Sequence, residues 1–251
     1  MNANRLRLVA LATMLVDHVG LLLNALYRFE MDLSYSDTFW QWRLIGRLAF
    51  PIFAFLIAEG CAHTRSLPRY LLRLCGFAAI AQLPFMLFLN LSYGSSSLFA
   101  WHGASVMVTL ALGAAAVYCY REGLRGGWRR LCWLGIPAAA YAAILLQSDY
   151  DMGGVLIILP VYMLRPKREG DADARLPGAH WAQALVCAAA VFLYYLNNHS
   201  SPMYIAGATA AGLLLLLYNG KPGSRRGRLA FYCFYPAHQL VLAAILFLTL
   251  R

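Results

Sequence analysis

Residues 8–27 read LVALATMLVDHVGLLLNALY, an apolar run with one Asp–His pair set into its middle. At 1.5 Å per residue, a run of this length crosses a hydrocarbon core about 30 Å thick. Arg5 and Arg7 precede it, as basic residues precede a secretory signal. Asp17 and His18 nevertheless interrupt the apolar stretch, and no small-residue cleavage site follows. The segment is read as a retained first span.

The same pattern continues outward along the chain. Of the 251 residues, 61% are hydrophobic and only 13% charged, where a soluble domain carries about 25% charged residues. Apolar runs at 8–27, 44–62, 70–91, 104–120, 131–147, 152–164, 181–196, 203–218 and 229–250 alternate with short charged tracts. They predict an all-α, polytopic transmembrane helix bundle of about nine spans (8–10), a single domain over residues 1–251. The sixth run is short and reads as re-entrant or half-spanning.

Orientation follows from the loops. Basic residues collect before the first span (Arg5, Arg7) and after the second (Arg65, Arg69), with Arg73 one turn into the third. They recur after the fourth (Arg121, Arg125, Arg129, Arg130), sixth (Arg165, Lys167, Arg168, Arg175) and eighth (Lys221, Arg225, Arg226, Arg228). In the intervening loops only Arg28 and Arg43 are basic. Positive charge retained in the cytoplasm produces this alternation, which predicts a cytoplasmic N-terminus in a multi-pass protein of a bacterial inner membrane. The net charge of +10 is thus spread over span ends. It forms no basic domain, and nucleic acid is not an expected partner. The six cysteines lie in or beside apolar segments without CxxC spacing, so packing roles are expected and no metal site.

Ionisable groups within a hydrocarbon core cost about 2.5–3.5 kcal/mol each on insertion scales. They persist where they pair, line a cavity or do chemistry. Asp17 and His18 are adjacent, so they point about 100° apart and cannot serve one contact. Asp17 either pairs with an arginine of another helix or belongs to a site. His18 lies eleven residues past Arg7, and His238 ten past Arg228, which sets both imidazoles about 15 Å deep from the same side and suggests a shared cavity. Pro236 should kink the last span nearby. Arg47 lies one turn inside the second span on the face of Arg43, and Glu59 shares a face with His63. An imidazole in this setting is a candidate general base.

Several of these segments resemble the TraX family: Val16-Asp17-His18-Val19-Gly20, the block Gly46–Gly60 with Arg47, Pro51 and Glu59, His63-Thr64-Arg65, Tyr70–Arg73, Asp149-Tyr150, Leu217–Lys221 and Phe231–His238. The matches run in order over nearly the whole chain. Where family members often carry an Asn before the fourth span, this chain has Ala104-Ser105-Val106. The spacing of Arg7 and His18 also looks like that of wider families of transmembrane acyltransferases, in which the first-span histidine is catalytic. The resemblance implies an acetyl-CoA-dependent N-acetyltransferase acting on a pilin subunit. On the physical reading beside it, the catalytic residues are His18, which removes the acceptor's proton, His238 or Arg47, which stabilises the oxyanion, and Asp17. Donor contacts fall to Arg7, Glu59, His63, Arg65, Arg69, Arg73, Lys221 and Tyr235, and acceptor contacts to Asp149 and Tyr150. An envelope-glycan O-acetyltransferase, a small transporter using the buried Asp, Arg and His as a relay, and a structural membrane subunit remain open readings of the same residues.

Overall fold

A computed structural model describes residues 1–33, 38–166, 179–198, 200–221 and 228–250, with backbone alone at 228 and 229. The basic loop residues Lys167, Arg168, Arg175, Arg225 and Arg226 lie outside the described residues. The described chain is all helical: α1 (Ala3–Glu30), α2 (Trp40–Gly46), α3 (Ala49–His63), α4 (Leu67–Tyr93), α5 (Val106–Leu124), a 3-10 helix (Gly127–Leu134), α6 (Gly135–Leu145), α7 (Asp151–Met163), α8 (His180–Asn197), α9 (Pro202–Leu216) and α10 (Arg228–Thr249). Among the described residues, α1, the α2–α3 unit, α4 and α10 are long and apolar enough to cross a membrane. Their outward faces carry Leu72, Ile80 and Leu83 on α4 and Leu240, Val241 and Leu248 on α10, all exposed. Such faces need lipid rather than water around them.

The interior is organised around α3, most of whose residues are buried. It packs on α1, α5, α7, α8 and α9, while α10 packs on α4 and α1. Two apolar runs depart from the continuous spans expected of them. The second breaks at Arg47 and Leu48, whose amides bond three residues back, to Leu44 and Ile45. Pro51 is the cause, because it has no N–H to offer the Arg47 carbonyl and its ring crowds that carbonyl. The fifth run forms an α-helix only over Gly135–Leu145, about 16 Å long. Gly126 and Gly127, both with positive φ, cap and open a 3-10 turn there, and Pro137 leaves the Trp133 carbonyl without its helical donor. The sixth run is the short helix α7, as its length suggested. α10 continues through Pro236 without a break in the helix.

Close backbone approach sets how α1 meets α2. A Cβ on Gly46 would lie 2.2 Å from the Asp17 Cβ, and one on Gly20 would lie 2.5 Å from the Trp42 Cβ. Glycine at both positions lets α2 lie directly over the Asp–His turn of α1. On the far side, the loop before α5 is zipped to the loop before α7. The Ala104 amide donates to the Leu146 carbonyl at 3.0 Å, and the Asp149 amide donates to the Ala104 carbonyl at 3.1 Å.

Candidate functional site

Two cavities lie end to end inside the bundle. One, the histidine chamber, has a volume of about 240 Å³, and among its walls are Asp17, His18, Arg43, Arg47, His102 and Asp149. The other, the arginine cleft, has a volume of about 180 Å³ and lies toward the N-terminal end of α1; Arg7, Glu59, His63, Tyr70, Arg73 and Tyr218 are among its lining residues. Phe53, Val106 and Tyr235 line both, so these three form the partition.

Adjacent residues of α1 serve different contacts, as helical geometry requires. The Arg43 Nη1 donates to Asp17 Oδ2 at 2.9 Å. His18 turns instead to α10, where its Nδ1 lies 3.0 Å from His238 Nε2. The protons on this pair can be placed. The Nδ1 of His238 lies 2.8 Å from the Phe234 carbonyl, an acceptor only, so that nitrogen carries the hydrogen. In the neutral ring Nε2 then has the lone pair, and it accepts from the Nδ1–H of His18. The Nε2 of His18 is left as the basic nitrogen. His238, together with the Met14 carbonyl one turn back in α1, thereby fixes the tautomer and tilt of His18.

Arg47 occupies the break between α2 and α3. Its guanidinium stands 5.2 Å from the Tyr204 ring centroid and within electrostatic reach of Tyr150, Tyr195, Asp17 and Asp149. Tyr150 stacks on Phe50 at 3.6 Å and receives a 3.3 Å hydrogen bond from the Tyr195 hydroxyl. Asp149 opens onto the chamber, while protein crowds it on its remaining sides. That crowding raises its carboxyl above the ordinary aspartate range against the lowering pull of Arg47.

In the cleft, Glu59 is buried and accepts from the Tyr218 hydroxyl at 3.0 Å and from Gln183 Nε2 at 3.3 Å. His63 Nδ1 lies 3.8 Å from its carboxylate. Arg73 lies over the Tyr70 and Tyr232 rings and Arg7 over Phe231. These aromatic faces hold two cations at the mouth of a pocket that otherwise contains one carboxylate.

The residues singled out in the sequence therefore sort into two groups. Asp17, His18, Arg47, Asp149 and Tyr150 line the histidine chamber, with His238 bonded behind His18. Arg7, Glu59, His63 and Arg73 line the cleft, and Tyr235 lies between. Arg65, Arg69 and Lys221 are exposed and outside the cleft lining. The Lys221 carbonyl accepts the Ala3 amide at 3.0 Å, pinning the start of α1. Sequence reasoning missed Arg43 and His102 as site residues. Arg43 did carry a signal, being one of two basic residues on the otherwise uncharged or acidic side. The other, Arg28, caps the end of α4 by donating to the Ser92 and Tyr93 carbonyls.

Residues 2–246 match the family model described as TraX protein. The chain belongs to the TraX family. A curated relative, the probable fimbrial assembly protein FimC, serogroup H1, of Dichelobacter nodosus, is 30% identical over 259 residues. That alignment spans 97% of this chain and 95% of the relative. No solved structure matches. The TraX match covers both cavities, so chamber, partition and cleft all fall within the shared region.

Proposed function

We propose that this TraX-family chain is an acetyltransferase of the bacterial inner membrane, moving an acetyl group from cytoplasmic acetyl-CoA to an acceptor amine, a pilin or fimbrial subunit, presented from the other side. The observation that carries the reading is the His18–His238–Phe234 chain of hydrogen bonds, which leaves one basic imidazole nitrogen at the chamber. The chamber shares the Tyr235 wall with a cleft holding Arg7 and Arg73.

The donor is polyanionic, and the arginine cleft is the cavity with cations at its mouth. Arg7 and Arg73 would hold phosphate oxygens there. The thioester would reach the partition, and the acceptor nitrogen would approach it from the chamber. As the nitrogen–carbon bond forms, His18 Nε2 takes a proton from the nitrogen. The carbon–sulfur bond then breaks, and the proton passes to the departing thiolate. The carbonyl oxygen gathers negative charge beside the partition. The Tyr235 hydroxyl reaches the backbone of Val106 there, at the first turn of α5, which has no side-chain cap. Both are suited to stabilising that charge.

The test is reconstitution in proteoliposomes with acetyl-labelled CoA and a peptide bearing a free N-terminus. Transfer that depends on His18, and is lost in His18→Gln, supports the reading. Ion flux without acetyl transfer would replace it with a relay transporter. Transfer to a glycan hydroxyl but to no amine would move the acceptor class.

A further inference from the structure

We propose that His102 is a second base of the histidine chamber, taking the first proton from an acceptor that arrives as an ammonium ion. This rests on reading the chamber as the acceptor's site.

The tautomer of His102 is fixed by its surroundings. Asn90 is fully buried, and its Nδ2 donates to the Met86 and Ala100 carbonyls, both at 2.9 Å. Both amide hydrogens are thus committed, and the orientation of the amide with them. Its Oδ1 must therefore accept, and the atom facing it at 2.9 Å is His102 Nε2. The Ser95 hydroxyl oxygen lies 2.9 Å from the same nitrogen and shares its hydrogen. Nε2 is consequently the N–H, and Nδ1 holds the lone pair.

The frame around the ring is built by the fold. Gly94 ends α4 in the left-handed region at φ 66, which turns Ser95 back over Asn90, its amide donating to the Asn90 carbonyl at 2.9 Å. Tyr93 meets the ring edge-on at 5.6 Å. The carbonyl of the next residue, Gly103, accepts from Gln82 Nε2 at 3.0 Å. His102 lines the chamber and is also exposed to solvent.

Proton count explains a second imidazole. An ammonium nitrogen carries three hydrogens and the amide product keeps one. One proton must leave before attack, to free the lone pair, and one leaves after the nitrogen–carbon bond has formed. The departing thiolate accepts only the second, delivered by His18. The first must go elsewhere, and His102 Nδ1 can pass it to solvent. A hydroxyl acceptor loses a single proton and needs no such group.

The experiment uses the full-length protein in proteoliposomes at pH 7, acetyl-CoA, and primary amines of graded basicity. His102→Gln keeps an amide donor for Asn90 Oδ1 while removing the base. Its loss of rate should track the ammonium-to-amine ratio of the acceptor. Hydroxylamine, largely neutral at this pH, should be acetylated as by the wild type. A peptide α-amine should lose about tenfold, and a lysine-type alkylamine about a thousandfold, as their ordinary pKa values dictate. A uniform loss across the series, or none, overturns the role of His102. Failure of the wild type to acetylate any amine overturns the chamber reading itself, and this proposal with it.

Discussion

An imidazole acts as a base only through a nitrogen whose lone pair is free, and the Phe234 carbonyl decides which nitrogen of His18 that is. Removing His238 leaves His18 in place with only the Met14 carbonyl of its own helix to hold the ring. Under the proposed activity, His238→Ala should therefore lower kcat by about 10²–10³-fold while leaving the KM for acetyl-CoA unchanged, because the arginine cleft proposed for the donor does not include it. A purely structural role would instead lower the thermal midpoint and both constants together. The Asp17–Arg43 pair is a different kind of contact. Its side chains are 17% and 22% exposed, so each single removal strands a half-buried charge. Asp17→Asn and Arg43→Met should each cost about 2 kcal/mol, less than a fully buried pair. The double variant should be more stable than the sum of the two predicts, a coupling of about 1 kcal/mol measurable by thermal or denaturant unfolding in detergent. Much of this residue-level picture was legible in the sequence. Matching depth along two spans put His18 with His238, and the helical offset between 17 and 18 separated their partners. Arg43 and His102 were not legible, since both depend on loops whose fastening, such as Asn90 against Ala100, has no periodic signature.

Helices enter the site through their interruptions. Pro51 withholds a donor from Arg47, the helix breaks there, and the guanidinium is left at the joint. The proline was visible in the sequence, but hydropathy alone carried the span straight through it. The same reading overran the 3-10 turn before α6, where Gly126, Gly127 and Pro137 were the local cues. Hydropathy measures burial rather than backbone continuity, so it locates apolar runs well and their breaks poorly. The crossing of α1 and α2 offers an element-scale test. Gly46→Ala places a methyl where Asp17 now lies. It should cost about 1–3 kcal/mol by overpacking and separate Asp17 from Arg43. Combined with Arg43→Met, it should lose much of its additional cost, because the pair it disrupts is already gone; full additivity in unfolding free energy would refute the account.

At the scale of the molecule, the two cavities open toward different ends of one bundle, separated by a partition of Phe53, Val106 and Tyr235. The proposed topology makes a direct prediction. In a cysteine-free background, a cysteine at Arg65 and one at Phe99, both exposed, should react with a membrane-impermeant thiol reagent from opposite sides. In sealed right-side-out vesicles only the position at 99 should label, and in inverted vesicles only that at 65. The swapped pattern would reverse the assignment of donor and acceptor faces, and labelling of both from one side would refute a crossing by α4. The alternation of arginine along the chain is what the proposed topology rests on; the partition did not show in the sequence, because its three residues come from three helices with no common motif.

His18 and His238 are 220 positions apart in the chain. A ribosome feeding this protein into the bilayer therefore delivers the first imidazole long before its partner exists. Throughout synthesis the nascent protein lacks the α10 partner of His18, and under the proposed activity it would stay inert until its final helix docks. Any truncation ahead of α10 would yield an inserted but silent product, which ties the onset of activity to completed assembly.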